Sequence, residues 1–537
     1  MSKRTIGMML FILGLLAAVG ELFQIDFPTA RWFFNTSRDV AMLGMHLDVT
    51  IIGIHFGKLH FLWFGWLCSA LMMVGGMWLL LRSFFGGSPN PVSLRRIKRF
   101  KEIKRGYYSY LVLLALVGLA ALDQVVVGNE ALAVRHKGQW SFPAFSPKVF
   151  KGADFGIEGE LADAPVDYRL LKKKLKEEKQ VSHDRVILPL IPYAPTNDTL
   201  GPRSLGMVLR DGKYSESGRR TPYYGLAATY HNVGEGKFHI RYTLRNGVFS
   251  GAVDGRDENG ELVYNAVYEK GTKVKETYSG KGKVEDFLSV QSSELRAVKY
   301  HPAPPIFEDE NWLGTTSQGS DVLAYLYGGL QVNFKAAIIF LPVVFIIGIV
   351  LGMLMGYLGG LFDLVMDRLI EVFSNMPFLF VVIIFASFVP EKYKGLPVIL
   401  TIFIIFGWMG ITALMRTAAY RDKERDYIAA ARVLGAGTPR IIFRHLLPNT
   451  VSIIVTLVPF TFSGLVSSLT ALDYLGFGLP PEYATWGRLL NDGLSNLSAP
   501  WLVSSTFVVL VGLLILITFI GEAVREAFDP KKHSYYR

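Results

Sequence analysis

The chain has 537 residues, of which 51% are apolar and only 19% are charged, and its formal net charge is +11. This balance is unusual for a soluble protein and typical of a membrane protein that also has a sizeable aqueous part. The single cysteine, Cys68, excludes a disulfide framework within the chain and a cysteine-based metal site.

Apolar segments long enough to cross a bilayer recur along the chain. A spanning helix needs about 20 mostly apolar residues. Eight such segments are predicted, at 5–23, 61–82, 108–127, 334–356, 369–389, 396–416, 450–471 and 502–522. The first lacks the small-residue cleavage pattern of a signal peptide and is interpreted as a retained anchor. The predicted fold class is therefore an all-α polytopic membrane protein with about eight transmembrane helices.

Lysine and arginine in the loops set the predicted orientation, because cytoplasmic loops are enriched in these residues. Loop 82–107 carries a dense run of them against one acid, Glu102. If this loop is cytoplasmic, segment 128–333 lies outside, segment 417–449 lies inside, and both termini are cytoplasmic. The basic charge is thus explained by topology, and nucleic acid is not expected as a partner because no basic face with interleaved aromatic residues occurs.

The segment 128–333 is long enough for a globular domain on the outer side. Between 206 and 299, alternating apolar and polar segments are separated by Asn246-Gly247, Asn259-Gly260 and Lys270-Gly271. Asn-Gly between alternating segments is the strongest short-range hairpin signal. We therefore predict an inserted, β-rich extracytoplasmic domain.

Catalytic and nucleotide-binding motifs are missing from the sequence. No G-x-x-x-x-G-K-[ST], H-E-x-x-H or G-x-S-x-G pattern occurs, and the ten histidines have no metal-ligand spacing. We expect this chain to have no catalytic residues and to bind no cofactor or metal.

A polar segment, Asp426 to Thr450, lies between two predicted spans. It carries several basic residues, and a cluster of alanines is followed by Gly435 and then by Leu447-Pro448. The pattern predicts a helix at 422–434, a glycine break, a second helix at 438–447 and a stop at the proline. A basic helical hairpin between spans is suited to being bound by a cytoplasmic protein.

Two residues near predicted spans are candidates for a translocation path. Pro377 interrupts a span and should kink it, which is tolerated where neighbouring helices or a water-lined cavity satisfy the freed backbone. Asp473 lies near the outer end of its span. It either lines the path or caps the turn before Gly476-Phe477-Gly478, and the sequence leaves both interpretations open.

From Asn311 to the C-terminus the chain resembles the permease subunits of ATP-binding-cassette (ABC) importers of the oligopeptide, dipeptide and nickel class. The resemblance lies in motifs that occur in the family's order: NWLGTTSQGSDVLAYLYGG, MGYLGGLFDLVMDRLIEVFSNMP, AAARVLGAGTPRIIFRHLLPN, LDYLGFGLPPEYATWGRLL and APWL. The stretches KGQWSFPAF, GADFGIEGELADAPVDY and FIGEAVREAFDP are similar to the oligopeptide and microcin C-type subgroup.

The resemblance implies a type I permease fold that forms half of a pathway for peptides or peptide-like solutes across the bacterial inner membrane. Implied partners are a second permease subunit, two cytoplasmic ATPase subunits or domains that carry ATP and Mg²⁺, an extracytoplasmic solute-binding protein and the lipid bilayer. Implied regions are an extra two-helix hairpin at 1–90, a basic segment and third span at 91–127, an extracytoplasmic domain at 128–320 with the 206–299 insertion, and the permease domain at 321–537 with a coupling loop at 422–449.

The same resemblance assigns contact with the ATPase to residues of the coupling loop, and the implied set is Ala429, Ala430, Ala431, Leu434, Gly435, Arg444, Leu447 and Pro448, with Leu446 adding apolar contact. The family's first glutamate is replaced here by Ala429, its L-G-T-D aspartate by Thr316 and its G-R-D arginine by Ser320. A glutamate contact with the ATPase is therefore not expected.

Two other functions remain as alternatives. An ion-driven secondary transporter would need inverted repeats and paired broken helices with buried charges, and the sequence has no internal repeat. A membrane-anchored receptor or structural protein would have its function in the outer domain.

Overall fold

The computed structural model describes most of the chain beyond residue 90 and short parts before it. The described residues are 7–12, 14–15, 48–51, 54–58, 73–75, 77, 91–145, 149–157, 162–177, 184–196, 203–216, 222–230, 238–257, 260–280, 283–289, 294–305, 311–390 and 394–528. They form two compact units. One comprises Met1–Asp198, Glu308–Trp312 and Asp321–Arg537, and the other Thr199–Phe307 and Leu313–Ser320.

The first unit begins with short elements. Strands β1 (Asp48–Ile51) and β2 (Ile54–Lys58) pair antiparallel. More than half of the predicted span 5–23 and most of the predicted span 61–82 lie outside the described residues. Helix α1 (Pro91–Glu102) is followed by α2 (Lys104–Ala121) after a bend of 96°.

A small sheet and one helix follow α2. Strands β3 (Ala133–His136), β4 (Gln139–Ser141) and β5 (Arg185–Ile187) form an antiparallel sheet in the order β4-β3-β5. Helix α3 (Tyr168–Glu177) buries Tyr168 and Leu171 in the same core as Val134. Short 3-10 helices occur at Asp123–Val125, Pro143–Phe145 and Gly152–Phe155.

The second unit is a β-sheet whose strands, in the order of the sheet, follow β13-β12-β11-β9-β8-β14-β6-β7, with β10 paired to β9. Their bounds are β6 (Arg203–Arg210), β7 (Lys213–Glu216), β8 (Gly225–Tyr230), β9 (Phe238–Arg245), β10 (Val248–Phe249), β11 (Gly251–Arg256), β12 (Leu262–Glu269), β13 (Thr272–Tyr278) and β14 (Arg296–Lys299). Helix α4 (Val284–Ser289) contributes Phe287 to a core with Ile240, Val253 and Tyr264. The predicted β-rich region is confirmed.

Two of the predicted hairpin turns have the expected backbone. Asn246 and Gly247 have φ values of 52° and 75°, and Arg245 pairs with Val248 across them. Lys270 and Gly271 have φ values of 47° and 89° between β12 and β13. Positive φ at both central residues is the type I′ turn that suits the twist of two-residue hairpins.

The first unit continues with the long apolar helices. These are α5 (Val322–Leu358), α6 (Gly360–Ser374), α7 (Phe378–Phe388), α8 (Leu396–Gly407), α9 (Met409–Lys423), α10 (Asp426–Val433), α11 (Thr438–Arg440), α12 (Leu447–Tyr474), α13 (Trp486–Ser495) and α14 (Pro500–Phe528). A π-helical segment, Ile441–Leu446, joins α11 to α12.

Among the described residues, four helical stretches are long and apolar enough to cross a membrane: Val322–Leu358, Leu396–Lys423, Thr438–Tyr474 and Pro500–Phe528. Two bent pairs, α1 with α2 and α6 with α7, raise the number to six if each pair is one span. The helical membrane fold is thus confirmed, and the number of eight spans stays a prediction.

Helices α5 and α9 pack closely along a stripe of glycines. A Cβ at Gly352 would lie 2.5 Å from the carbonyl oxygen of Thr412, and one at Gly356 would lie 2.5 Å from that of Arg416. Gly348 faces Ile411 in the same way. Small residues every fourth position allow backbones of membrane helices to approach, so the stripe sets this contact. Because residue numbers rise together along both helices, α5 and α9 run parallel.

The order of the helix ends follows from their contacts. The Tyr327 hydroxyl near the start of α5 donates to the carbonyl of Leu119 at the end of α2, at 2.7 Å. Gly106 at the start of α2 packs against Ala523 near the end of α14. The start of α2 and the end of α14 therefore meet at one end of the bundle, and the start of α5 meets the end of α2 at the other.

Candidate functional site: the coupling segment and the bent helix pair

Helix α10 ends in a glycine turn. Gly435 has a φ of +78°, and its N–H donates to the carbonyl of Arg432 at 2.9 Å while the N–H of Ala436 donates to that of Ala431 at 3.0 Å. This pair of bonds is the Schellman arrangement, which needs a left-handed residue after the helix and favours glycine there. The predicted glycine break is confirmed, although the helix begins at Asp426 and not at residue 422.

The second helix does not stop at the proline. It passes from Thr438 through the π segment and Pro448 to Tyr474, so the predicted stop is wrong. The N–H of Leu447 donates to the carbonyl of Ile442, five residues back. A π turn is wider than an α turn, and Pro448 follows it in the first turn of α12, where a missing N–H is tolerated.

Residues 426–448 are called the coupling segment here. The side of this segment that faces the rest of the chain is apolar and buried. Ile428 of α10 and Leu446 of the π segment are both 0% exposed, and Ile441 and Ile442 at the start of the π segment are also buried. Leu446 was expected to contact a partner. That expectation is wrong, because its side chain is enclosed by its own chain.

The opposite side of the coupling segment is exposed. Val433 and Leu434 at the tip are 88% and 86% exposed. The remaining predicted coupling residues divide as follows: Ala429, Ala430, Gly435, Arg444 and Pro448 are exposed, Leu447 is half-buried and Ala431 is buried. Two adjacent large apolar side chains are therefore exposed where α10 ends.

Polar contacts that the sequence did not predict connect the coupling segment to the bundle. The Arg416 guanidinium of α9 donates two hydrogen bonds to Asp363 of α6, at 2.6 and 2.8 Å, and a third to Asp367 at 2.7 Å. The Tyr420 hydroxyl donates to the same Asp363. Bidentate arginine–carboxylate pairs fix geometry as well as charge, so α9 is held to α6 just before the coupling segment.

Helix α10 is also tied to α5. The Arg432 guanidinium lies over the ring of Tyr357, 5.1 Å from its centroid, with Nε 3.3 Å from the hydroxyl. Buried Asp422 accepts from Nε of Arg421 and of Arg425 at 3.0 and 3.1 Å, which bridges the two-residue gap between α9 and α10. These contacts join α10 to α5 and to the end of α9.

The predicted kink at Pro377 is present. Helices α6 and α7 meet at 82°, with Pro377 as the residue before α7. The break opens onto a cavity of about 330 Å³, and its lining residues are Phe373, Ser374, Met376, Pro377, Phe378, Val381, Phe406, Met409 and Gly410. The cavity is mostly apolar and contains no charged side chain.

Asp473 has a capping contact. Its side chain is 7% exposed, and Oδ1 accepts from the backbone N–H of Leu479 at 2.7 Å. The Arg488 guanidinium donates to the carbonyl of Leu479 at 2.6 Å and to that of Pro480 at 3.1 Å. The carboxylate and the guanidinium together hold the loop between α12 and α13. This geometry favours the cap over a path-lining role for Asp473.

In the part of the chain that the structure describes, no group of three or more His, Cys, Asp or Glu residues is placed to hold a metal ion.

The described residues form a helical membrane-type fold with a partly exposed polar segment between two long apolar helices. The family described as binding-protein-dependent transport system inner membrane component matches residues 348–534. The inner membrane ABC transporter permease protein YejE of Escherichia coli is 31% identical over 445 residues, covering 82% of this chain and 98% of that protein. The chain belongs to this family of ABC transporter permeases.

Two further relatives are shorter matches. The peptidoglycan transport system permease protein YejE of Agrobacterium fabrum is 40% identical over 222 residues, which is 41% of this chain and 58% of that protein. The dipeptide transport system permease protein DppC of Bacillus subtilis is 31% identical over 248 residues, 46% of this chain and 76% of that protein. The chain is accordingly a multi-pass inner membrane protein and a transport subunit.

Proposed function

We propose that this chain forms half of the translocation pathway of an importer for peptides or peptide-like solutes, and that an ATPase subunit docks on residues 426–448. The observation that carries the proposal is the exposed apolar tip, Val433 and Leu434, on a segment whose other side is fixed in the bundle. ATP and Mg²⁺ would be bound by the ATPase subunits and not by this chain.

The proposed mechanism uses the contacts around α10. An ATPase subunit that binds the tip and moves on ATP binding would displace α10. Arg432 on Tyr357 and the bond between Arg416 and Asp363 would carry that displacement to α5 and α6. The helices would then switch between inward and outward access, as in other transporters in which a bound partner selects one of two packings.

The bent pair of helices α6 and α7 is proposed to face the translocation pathway. A break in a membrane helix is tolerated where it lines a cavity or is covered by protein. The cavity beside Pro377 fits the first condition, and a second permease subunit facing α6 and α7 would close the pathway.

The proposed orientation places the coupling segment in the cytoplasm. Basic residues at the ends of α9 and α14 and in α1 belong on the cytoplasmic side by the charge rule. Both termini would then be cytoplasmic. The region 128–320, including the 206–299 insertion, would lie in the periplasm together with the loop 472–500, where a solute-binding protein would dock.

The substrate class rests on the names of relatives. They are described as carrying dipeptides and peptidoglycan, and both substrates contain amide-linked amino acids. Peptides or peptide fragments of the cell wall are therefore the proposed cargo. If the chain were an ion-driven transporter, uptake should occur without an ATPase. If it were a receptor or structural protein, no uptake should occur.

Gly435→Asp tests the coupling role. Gly435 has a φ of +78° and open space around it, so the variant adds backbone strain of about 1–2 kcal/mol and a charged group at the docking surface without a clash inside the chain. We expect the variant to insert normally and to lose peptide uptake. Gly437→Ala is the matched control, because Gly437 has a φ of −69° and its nearest neighbour atom would be 4.0 Å from the added Cβ. Normal uptake by Gly435→Asp would contradict the proposal.

A further inference from the structure

Helix α1 is basic on most of its surface. Its sequence, PVSLRRIKRFKE, contains five lysines and arginines, namely Arg95, Arg96, Lys98, Arg99 and Lys101, and one acid, Glu102. Lys104 and Arg105 follow immediately in α2. Such a density of one charge on a single helix calls for an oppositely charged partner or for water.

Helix α1 lies almost at a right angle to α2. It bends by 96° from α2, and the pair is one of the candidate broken spans. If α2 crosses the bilayer, α1 therefore lies parallel to the membrane plane. Arg96 of α1 contacts the end of α14, with its guanidinium 5.0 Å from the ring centroid of Phe528, and Arg105 at the start of α2 lies 3.6 Å from Glu522 of α14.

An apolar stripe accompanies the bases. Leu94 and Ile97 are 50% and 54% exposed and lie three residues apart, on one side of the helix. Lys98 lies beside this stripe and Lys101 lies in line with it, two turns beyond Leu94; both are exposed, and Arg95 lies further round the helix. An amphipathic helix with exposed apolar residues and flanking lysines and arginines is the pattern of segments that lie in the interface of a bilayer.

We propose that α1 is an interfacial helix that binds the anionic headgroups of the membrane leaflet in which it lies. Leu94 and Ile97 enter the boundary between headgroups and acyl chains, and Arg95, Lys98 and Lys101 contact the lipid phosphates. Anionic lipid is preferred to an acidic protein as the partner because the exposed apolar residues lie on the same helix as the bases, next to the start of a membrane span. The proposal goes beyond transport and holds for any substrate.

The test uses the full chain in nanodiscs of phosphatidylcholine alone or with 30% phosphatidylglycerol. A Leu94→Cys variant in a Cys68→Ala background carries an NBD fluorophore, which reports how deeply α1 lies, and native mass spectrometry counts retained phosphatidylglycerol. The triple variant R95Q, K98Q, K101Q changes only exposed side chains and leaves Arg96 and Arg105 in place. Each base near an anionic surface contributes roughly fivefold to lipid affinity, so the triple variant should retain phosphatidylglycerol about 100-fold more weakly.

Three outcomes decide the proposal. A blue shift of NBD that needs phosphatidylglycerol and is reversed by salt, lost in the triple variant and kept in R95K, K98R, K101R, supports it, since screening and charge conservation are the marks of headgroup attraction. The same emission in both lipid mixtures would overturn it. So would a fluorophore that responds only when an ATPase or permease partner is added, because α1 would then be a protein-docking helix.

Discussion

Replacing Leu434 with alanine separates docking from folding, because the side chain is 86% exposed in the chain itself. Its truncation removes almost no internal contact, so the free energy of unfolding of the purified chain should be unchanged. If an ATPase subunit covers the tip, the same change removes most of the apolar area that a docked leucine would bury. Burial of a leucine side chain contributes roughly 1.5–3 kcal/mol, and a loss of about 2 kcal/mol weakens binding roughly 30-fold.

Affinity is measured by titrating the ATPase onto the detergent-solubilised chain, and peptide uptake is measured separately in cells. Leu446→Ala is the control, because it should change the stability of the chain, which Leu434→Ala should leave unchanged. That leucine is 0% exposed, so its truncation should lower the free energy of unfolding by about 2–5 kcal/mol. Unchanged ATPase affinity and uptake in Leu434→Ala would show that the tip is not a docking surface and would remove the main support for the proposed mechanism.

The packing and ion-pair contacts give two more predictions. Gly352→Ala should lower the midpoint of thermal unfolding, because its Cβ would lie 2.5 Å from a carbonyl oxygen of α9 and overpacking costs about 1–3 kcal/mol; Gly118→Ala, with open space around it, should not. Arg416→Gln should cost about 3 kcal/mol by leaving Asp363 buried without its cation, whereas Arg368→Gln breaks only an exposed pair and should change stability by less than about 1 kcal/mol. If Gly352→Ala and Gly118→Ala lowered the midpoint of thermal unfolding equally, the packing explanation would be contradicted. Equal losses of stability in Arg416→Gln and Arg368→Gln would contradict the ion-pair explanation.

Local signals predicted the features that depend on one or two residues. The type I′ turn at Asn246-Gly247 follows from two residue types that tolerate positive φ, whereas at Lys270-Gly271 only the glycine is such a residue. Gly435 ends α10 for the same reason, and the proline at 377 breaks a span because it cannot continue the hydrogen-bond pattern. None of these depends on residues far away in the chain.

Other features of the fold are not predicted, or are predicted wrongly, for different reasons. Arg416 and Asp363 are 53 positions apart, and nothing local in the sequence pairs them. Pro448 was expected to stop a helix, and the π turn before it removes the steric conflict on which that rule depends. The glycine stripe at 348, 352 and 356 is a different case: small residues at every fourth position are a readable signal for close helix packing, and it went unused.

The continuous helix from Thr438 to Tyr474 changes how the proposed coupling would act. Its 37 residues extend over roughly 55 Å, from the coupling segment to the loop that Asp473 caps at the opposite end. With a stop at Pro448, a displaced tip would act only near the cytoplasmic surface. Without one, the same displacement reaches the far loop unless the helix bends, and two places favour bending: the π segment at Ile441–Leu446, and Pro459 inside α12, which has no N–H to donate. The stiffness of the helix at the π segment and at Pro459 therefore decides whether a docked ATPase would move one end of the pathway or both.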